Sequence, residues 1–415
     1  EKYDVFWSIL RDGAVVQSGA LDGSLVSVPC VDPASNQPGE AEILIPFEMP
    51  IADGAEYFLD LSVRLKQPDG LLNAGFEIAW EQFEITPPAV QVKAAEGAAS
   101  PVASYRDGSC IVVETDRLRL SFSEPLGRIV RCQGRDAHGA WRSLLVESEG
   151  PQGDFFRAGT DNDRAFGAGL NVYIGMWKEK GGYEVRRFSV DDSKDGMLIL
   201  EIEGNYPALN GTELHTRYTV YGEGFVAADV TIVPKYNEKL VYLPVAGMSM
   251  RLPEGFEQLV WFGNGPEETY IDRWKGTRVG RFERTVTDNF FPYVQSSETG
   301  NHVGTRALAL TDGHGFGLQV VTTGDPFEFS ALHYTAEELD RAVHPHELRA
   351  IEETVLRINA VQIGLGGDDS WSRIGPHEQY LPDEPAYHYG YILAPFHGNL
   401  DLMEQARSLQ RRILK

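Results

Sequence analysis

The stretch Phe58-Leu59-Asp60-Leu61-Ser62-Val63-Arg64-Leu65-Lys66 decides the fold class, because its odd positions are apolar and most of its even positions are polar. A period of two places successive side chains on opposite faces of an extended chain, so this is a half-buried strand. Gly75-Phe76-Glu77-Ile78-Ala79-Trp80-Glu81 repeats the pattern on even positions, and Phe83 and Ile85 then switch parity, which predicts a bulge near Gln82. Upstream, Asp12-Gly13 separates Phe6-Trp7-Ser8-Ile9-Leu10 from Ala14-Val15-Val16. Asp-Gly tolerates positive φ and predicts a tight hairpin. Downstream, Arg117-Leu118-Arg119-Leu120-Ser121-Phe122 and Leu198-Ile199-Leu200-Glu201-Ile202 read as further strands. Helical periodicity is clear only at the end, where Leu402, Met403, Ala406, Leu409 and Ile413 form one stripe and Asn399 is the expected cap.

Pro87-Pro88-Ala89 through Ala98-Ala99-Ser100-Pro101 lacks periodicity and reads as a linker. The chain is therefore expected to divide into residues 1–86, a linker 87–101, a second domain 102–396 and a terminal helix 397–415. An immunoglobulin-type sandwich needs about seven strands in about 100 residues. The first block holds six strand candidates and no initiator Met, which is the expectation for a sandwich truncated within a longer chain. The 43 glycines and 23 prolines of the 415 residues suit a turn-rich all-β protein. A net charge of −24 argues against nucleic acid and anionic membrane surfaces as partners, since both are bound through clustered Lys and Arg. Cys30, Cys110 and Cys132 fall in no metal-type pair and are expected to be buried free thiols.

Generic site signatures fail one by one. Asp161-Asn162-Asp163 begins like a calcium loop, but Ala165, Phe166 and Val172 occupy the places of its fifth, sixth and twelfth residues, so a turn capped by Asx side chains is expected. Gly364-Leu365-Gly366-Gly367 lacks the Lys-Ser/Thr of a phosphate loop and reads as a backbone turn. Asn210-Gly211-Thr212 is a formal glycosylation acceptor and more simply a turn. Glu267-Glu268 and Asp368-Asp369 are carboxylate pairs, but neighbours on a strand point apart and cannot flank one glycosidic bond, so solvated or turn-capping roles are expected.

What remains are loops dense in Trp, Gly and acidic residues: Phe155 to Asp163, Trp261 to Arg273, Pro292 to Asn301, and Gly366-Gly367-Asp368-Asp369-Ser370-Trp371. Aromatic rings beside hydrogen-bonding side chains suit sugars. In this order the loops resemble the carboxy-terminal portion of bacterial β-galactosidases of glycoside hydrolase family 2. The Arg-Ala-x-Thr-Asp-Asn-Asp run matches at Arg157 to Asp163. The Gly-x-Gly-Pro-x-Glu-x-Tyr-x-Asp-Arg run matches at Gly263 to Arg273, with Glu268 in the family's Glu place. Pro292-Tyr293 with Glu298-Thr299-Gly300-Asn301, Phe329-Ser330-Ala331 and His346-Glu347-Leu348 fit further blocks. The resemblance covers Val102 to about Phe396, and residues 1–86 resemble more weakly the sandwich domain before it.

The resemblance implies an immunoglobulin-like β-sandwich followed by a large galactose-mutarotase-like supersandwich. It implies a non-catalytic part of an enzyme that hydrolyses terminal, lactose-like β-D-galactosides with retention. The catalytic glutamates, with the Mg and Na of the family, belong to a (β/α)₈ barrel not contained in this sequence, so no catalytic residue and no cofactor or metal ligand transfers here. One substrate contact does transfer. Trp371 is expected to be an apolar platform for sugar at the active-site mouth, with Asp368 and Asp369 fixing its turn. Arg157, Arg273 and Glu298 are expected to anchor loops or meet the barrel, and Trp261, Trp274 and Tyr293 to pack. The implied partners are the galactoside, the catalytic barrel as domain or subunit, and further copies in a homo-oligomer. A bacterial cytoplasmic or periplasmic compartment is left open. The alternatives are a mutarotase-like epimerase using His333, His346 and Glu347, a stand-alone carbohydrate-binding module, and a purely structural module.

Overall fold

The computed structural model describes residues 2–21, 42–87, 100–164, 174–367 and 381–413. The chain divides into two compact units, Glu1–Lys93 and Ala94–Lys415. The fold is all-β, as the alternation predicts.

In the first unit one antiparallel sheet has the order Ala14–Leu21, Tyr3–Arg11, Tyr57–Leu65, Glu77–Glu84. Asp12 and Gly13 both take positive φ, 50° and 82°, which closes the hairpin at the Arg11–Ala14 pair. Trp7, Ile9, Tyr57 and Leu59 form its core. The predicted bulge is real but displaced. Val63 faces Ala79 and Arg64 faces Glu77, so the extra residue is Ile78, whereas Gln82 pairs in register with Asp60. Ile78 and Phe83 are both exposed, so neither is held to a core face and the parity of the sequence pattern mislocates the insertion.

The second unit is a supersandwich of three antiparallel sheets around one apolar core. The largest has nine strands in the order Glu184–Asp191, Met197–Tyr206, Thr212–Tyr221, Phe225–Val233, Tyr387–His397, Phe316–Thr322, Ala307–Thr311, Gln258–Gly265, Arg278–Thr285. A five-stranded sheet runs Gln152–Asp154, Val245–Leu252, Thr354–Gln362, Phe327–Leu332, Asn301–Thr305. A second five-stranded sheet runs in chain order from Ala103 to Ser143. Leu200, Val226 and Leu318 from the first, Met248, Phe329 and Ile358 from the second, and Leu120, Phe122 and Cys132 from the third share one core. Burial there pushes the Cys132 thiol up to about 12, so it is an inert apolar filler. Cys110 is only partly buried, and Cys30 lies outside the described residues.

The second sheet is buried on both faces. Phe327, Phe329, Leu356 and Ile358 enter the apolar core, while the alternate residues Glu328, Ser330, Arg357 and Asn359 are buried as well. Loops must therefore cover a polar face, and this second interior holds the candidate site. Gly263 shows how closely the layers approach: a Cβ there would lie 2.8 Å from Thr305 Cα and 3.0 Å from the Gly304 carbonyl oxygen.

The terminal helix Leu402–Ile413 buries Leu402, Met403, Ala406 and Leu409 as the stripe predicts. Its cap is Asp401, whose carboxylate accepts the Glu404 N–H at 3.0 Å, and not Asn399. A capping side chain reaches the amide two or three residues ahead, which Asn399 is too far back to do. Gln319 and Gln410 tie the helix down by donating to the carbonyls of Leu402 and Thr322. Among the described residues no helix is long and apolar enough to cross a membrane.

Gly263→Ala is expected to cost about 1–3 kcal/mol, because the added methyl meets backbone that cannot step aside. Thermal unfolding should show the melting temperature falling by a few degrees.

Candidate functional site

The motif loops meet over the polar face of the five-stranded sheet. The edge strand Gln152–Asp154 presents Asp154 to Arg357, whose Nε donates to it at 2.6 Å. Phe155 and Phe156 then turn into the apolar core, and the next residue, Arg157, turns to the polar side with no exposed surface. Its Nη2 donates to both carboxylate oxygens of Asp163 at 3.0 Å. Asp163 closes a single helical turn, Asp161–Arg164, by accepting the Thr160 N–H at 2.8 Å, while its own N–H donates to Thr160 Oγ1 at 3.2 Å. This is a reciprocal cap of the kind expected for an Asx turn.

The same loops grip the chain leaving Thr354–Gln362. Arg157 donates to the carbonyls of Ile363 and Gly364, and Asn162 Nδ2 donates to that of Leu365 at 2.9 Å. From the other side, the Asp272 carboxylate accepts the N–H groups of Leu365 at 3.0 Å and Gly366 at 2.9 Å. Gly366 and Gly367 follow with φ of 63° and 87°, the left-handed turn expected of these glycines. A run of consecutive peptide groups is thus held by side chains from two other loops.

Glu268 ties the third motif to the second. It accepts hydrogen bonds from the Tyr293 hydroxyl, Thr299 Oγ1 at 3.2 Å and the Gly300 N–H at 2.8 Å, and Arg273 lies 3.8 Å away. The expectation of a solvated or locally capping carboxylate at this position is corrected: Glu268 is mostly buried and joins loops far apart in sequence. Next to it, Thr269 Oγ1 accepts the Val303 N–H, and Asn301 Nδ2 donates both to the Thr269 carbonyl and to Glu328. Between the loops opens a cavity of about 300 Å³ whose wall includes Asn162, Glu268, Tyr270, Arg273, Tyr293 and Glu298. A larger groove of about 510 Å³ lies beside Arg273 and Trp274.

Burial dominates the electrostatics of this interior. It raises the Glu298 carboxyl, against which Arg357 and then Arg157 pull it down. It pushes Glu328 up to about 8, opposed by hydrogen bonds from Asn301 and from backbone at Gln362. Glu328 is therefore a neutral acid at pH 7. Tyr293 is pushed up to about 12, first by burial and then by its bond to Glu268. His302 Nε2 donates to Asn289 Oδ1 at 2.8 Å, and burial pulls the imidazole down to about 3.

Several expectations are settled by position. Arg157, Arg273 and Glu298 do anchor loops, through Asp163, Glu268 and Arg357. Trp261 is fully buried, but Trp274 is 43% exposed and does not pack, because the turn from Tyr270 to Arg273 carries it to the surface. His333, His346 and Glu347 are not gathered: His333 bonds Glu257, His346 stacks on His344, and Glu347 accepts the Val343 N–H. Asn210 sits in a left-handed turn, with φ of 57°. Asp368, Asp369 and Trp371 lie outside the described residues. Asp272 and Asn162 stand within the recognised motifs, but their partners are backbone groups 93 and 203 residues away, which no local pattern signals.

The raised Glu328 predicts a sign for stability against pH. The unfolded chain ionises this carboxyl near its ordinary value of 4.5, while the fold keeps it protonated to about 8. The folded state then binds more protons, so this group lowers stability by about 1.4 kcal/mol for each pH unit gained across that window. Urea unfolding of the native chain and of Glu328→Gln at pH 5.5 and 7.5 checks this. The variant should lose the slope, and equal slopes would refute the assignment.

Comparison with known proteins follows the same division of the chain. Residues 114–393 match the family described as beta galactosidase small chain, and residues 1–86 match beta-galactosidase, domain 4. The β-galactosidase of Halalkalibacterium halodurans is 31% identical over 350 residues, 82% of this chain and 33% of the relative. A β-galactosidase, BgaC, of Bifidobacterium adolescentis is 31% identical over 367 residues, 85% of this chain and 33% of the relative. The chain thus spans about a third of the length of these curated relatives. Among solved structures, a galactose 1-epimerase from Lactobacillus acidophilus is 10% identical, covering 73% of this chain and all of that one, with a TM-score of 0.38. With more than half of its length matched by the small-chain profile, and the loops of that matched region building the site, the protein belongs to the β-galactosidase small-chain family.

Proposed function

We propose that this chain is the non-catalytic small-chain part of a β-galactosidase that cleaves terminal β-D-galactosides with retention. Acid/base and nucleophilic carboxylates of such an enzyme act from a (β/α)₈ barrel, here a separate domain or subunit, where Mg and Na would also bind. The part described here completes one wall of the active site and supports assembly into a homo-oligomer. The observation that carries this reading is the grip on residues 363–366 by Arg157, Asn162 and Asp272. Such bracing of a short backbone run makes sense where the residues just beyond it must be presented at a fixed height. Those residues are Asp368, Asp369 and Trp371, which we assign as the turn and the sugar platform.

In the full-length enzyme Trp371→Ala should raise KM roughly fivefold, the equivalent of about 1 kcal/mol of stacking, with the melting temperature nearly unchanged. A normal KM with a large fall in melting temperature would instead make Trp371 a packing residue.

The 415-residue chain alone should not hydrolyse a nitrophenyl β-galactoside. Nor should it speed the mutarotation of α-galactose followed by polarimetry, since that chemistry needs an acid and a base facing one pocket and His333, His346 and Glu347 are engaged apart. Turnover in either assay would place catalytic groups within this chain and overturn the proposal.

A further inference from the structure

We propose that the cavity between the loops at Thr160–Asn162, Glu268–Arg273 and Tyr293–Glu298 is a binding site for one neutral, hydroxyl-rich ring, a monosaccharide or cyclic polyol. The site is built from described residues. Its volume, about 300 Å³, is at the small end of the roughly 300–1,000 Å³ of ligand pockets. Tyr270 lines it, is 1% exposed, and has a hydroxyl with no protein partner among the described residues. A buried hydroxyl without a partner costs free energy, so its retention here calls for a ligand group that donates to it or accepts from it.

The remaining lining narrows the chemistry. Glu268 already accepts from Tyr293, Thr299 and Gly300, which fixes the Tyr293 ring as a rigid wall. The face of a tyrosine ring suits the C–H face of a sugar. Arg273 has a 60% exposed side chain, and beyond its contacts with Glu268 and Tyr293 its guanidinium keeps further N–H groups to donate to ring hydroxyls. An anion would meet Asp161, Glu268 and Glu298 together. A metal ion would meet the Arg273 guanidinium, and the described residues contain no group of three His, Cys, Asp or Glu able to hold one. An apolar ligand would leave the Tyr270 hydroxyl without a partner. Hydroxyl groups, which both donate and accept, satisfy all of these positions at once.

The test is a ligand-observed NMR titration of the 415-residue chain with D-galactose, with myo-inositol and sodium phosphate as competitors. Saturable binding in the millimolar range is expected, displaced by myo-inositol and not by phosphate. Tyr270→Phe keeps the ring and removes only the hydroxyl, and should weaken binding about threefold to tenfold at an unchanged melting temperature. Arg273→Gln, at an exposed side chain, should weaken it comparably and guards against a folding effect at Tyr270. The inference is overturned by absence of saturable binding, by displacement with phosphate alone, or by binding that both Tyr270→Phe and Arg273→Gln leave unaffected. None of these outcomes depends on the KM measurement in the full-length enzyme, so the two proposals fail separately.

Discussion

Arg157 carries a charge with no exposed surface, and the arrangement of the motif loops follows from how that charge is accommodated. A guanidinium removed from water must be paired and hydrogen-bonded, or the desolvation cost is several kcal/mol. Asp163 supplies the counter-charge, and the carbonyls of Ile363 and Gly364 take further N–H groups. Asp163 can do so only because Thr160 holds it in a capped turn. The carbonyls can do so only because Asp272 and Asn162 fix the same stretch of backbone from the other side. Breaking one partner of such a buried pair costs about 3–5 kcal/mol, so these loops are bound to one another as a unit.

The unit has two interiors with different physics. The one between the sheets is apolar and tolerant, where Cys132 or Met248 need only fill space. The one beneath the loops is polar, and there the buried charges must find partners. Arg357 bonds Asp154, Glu298 and the Phe156 carbonyl, and Asn301 bonds Glu328 and the Thr269 carbonyl. Strand alternation connects them: Leu356 and Ile358 face one, Arg357 and Asn359 the other. The long polar motifs of this family member are thus explained as the cover of a polar sheet face, and a site at that face inherits rigidity from the network.

The strands were legible because burial imposes a period of two wherever one face meets a core. Tyr3 to Arg11 follows it closely, with Val5, Trp7 and Ile9 buried and the residues between them only partly so. The reading failed where burial does not discriminate. Ile78 and Phe83 are both exposed, so their parity misplaces the bulge, and residue type alone points to Asn399 as a cap although Asp401 stands at the spacing that reaches the Glu404 N–H. At the candidate site, the loops themselves were recognisable from their residues. Their internal logic was not, since Glu268 gave no sign of accepting from Tyr293, Thr299 and Gly300 at once, nor Trp274 of reaching the surface.

By itself the sequence determined an all-β chain, the hairpin at Asp12-Gly13, the terminal helical stripe and the motif loops that mark a β-galactosidase small chain. These are properties of neighbouring residues, written in periodicity and in residue type. Only the tertiary structure decided that Arg157, Asn162 and Asp272 grip one backbone run, and that Glu328 is neutral at pH 7. It alone decided that Tyr270 lines a cavity between the motif loops. Those outcomes depend on which groups are left without water and which partners reach them across the sheet, and burial of that kind exists only once the layers have closed.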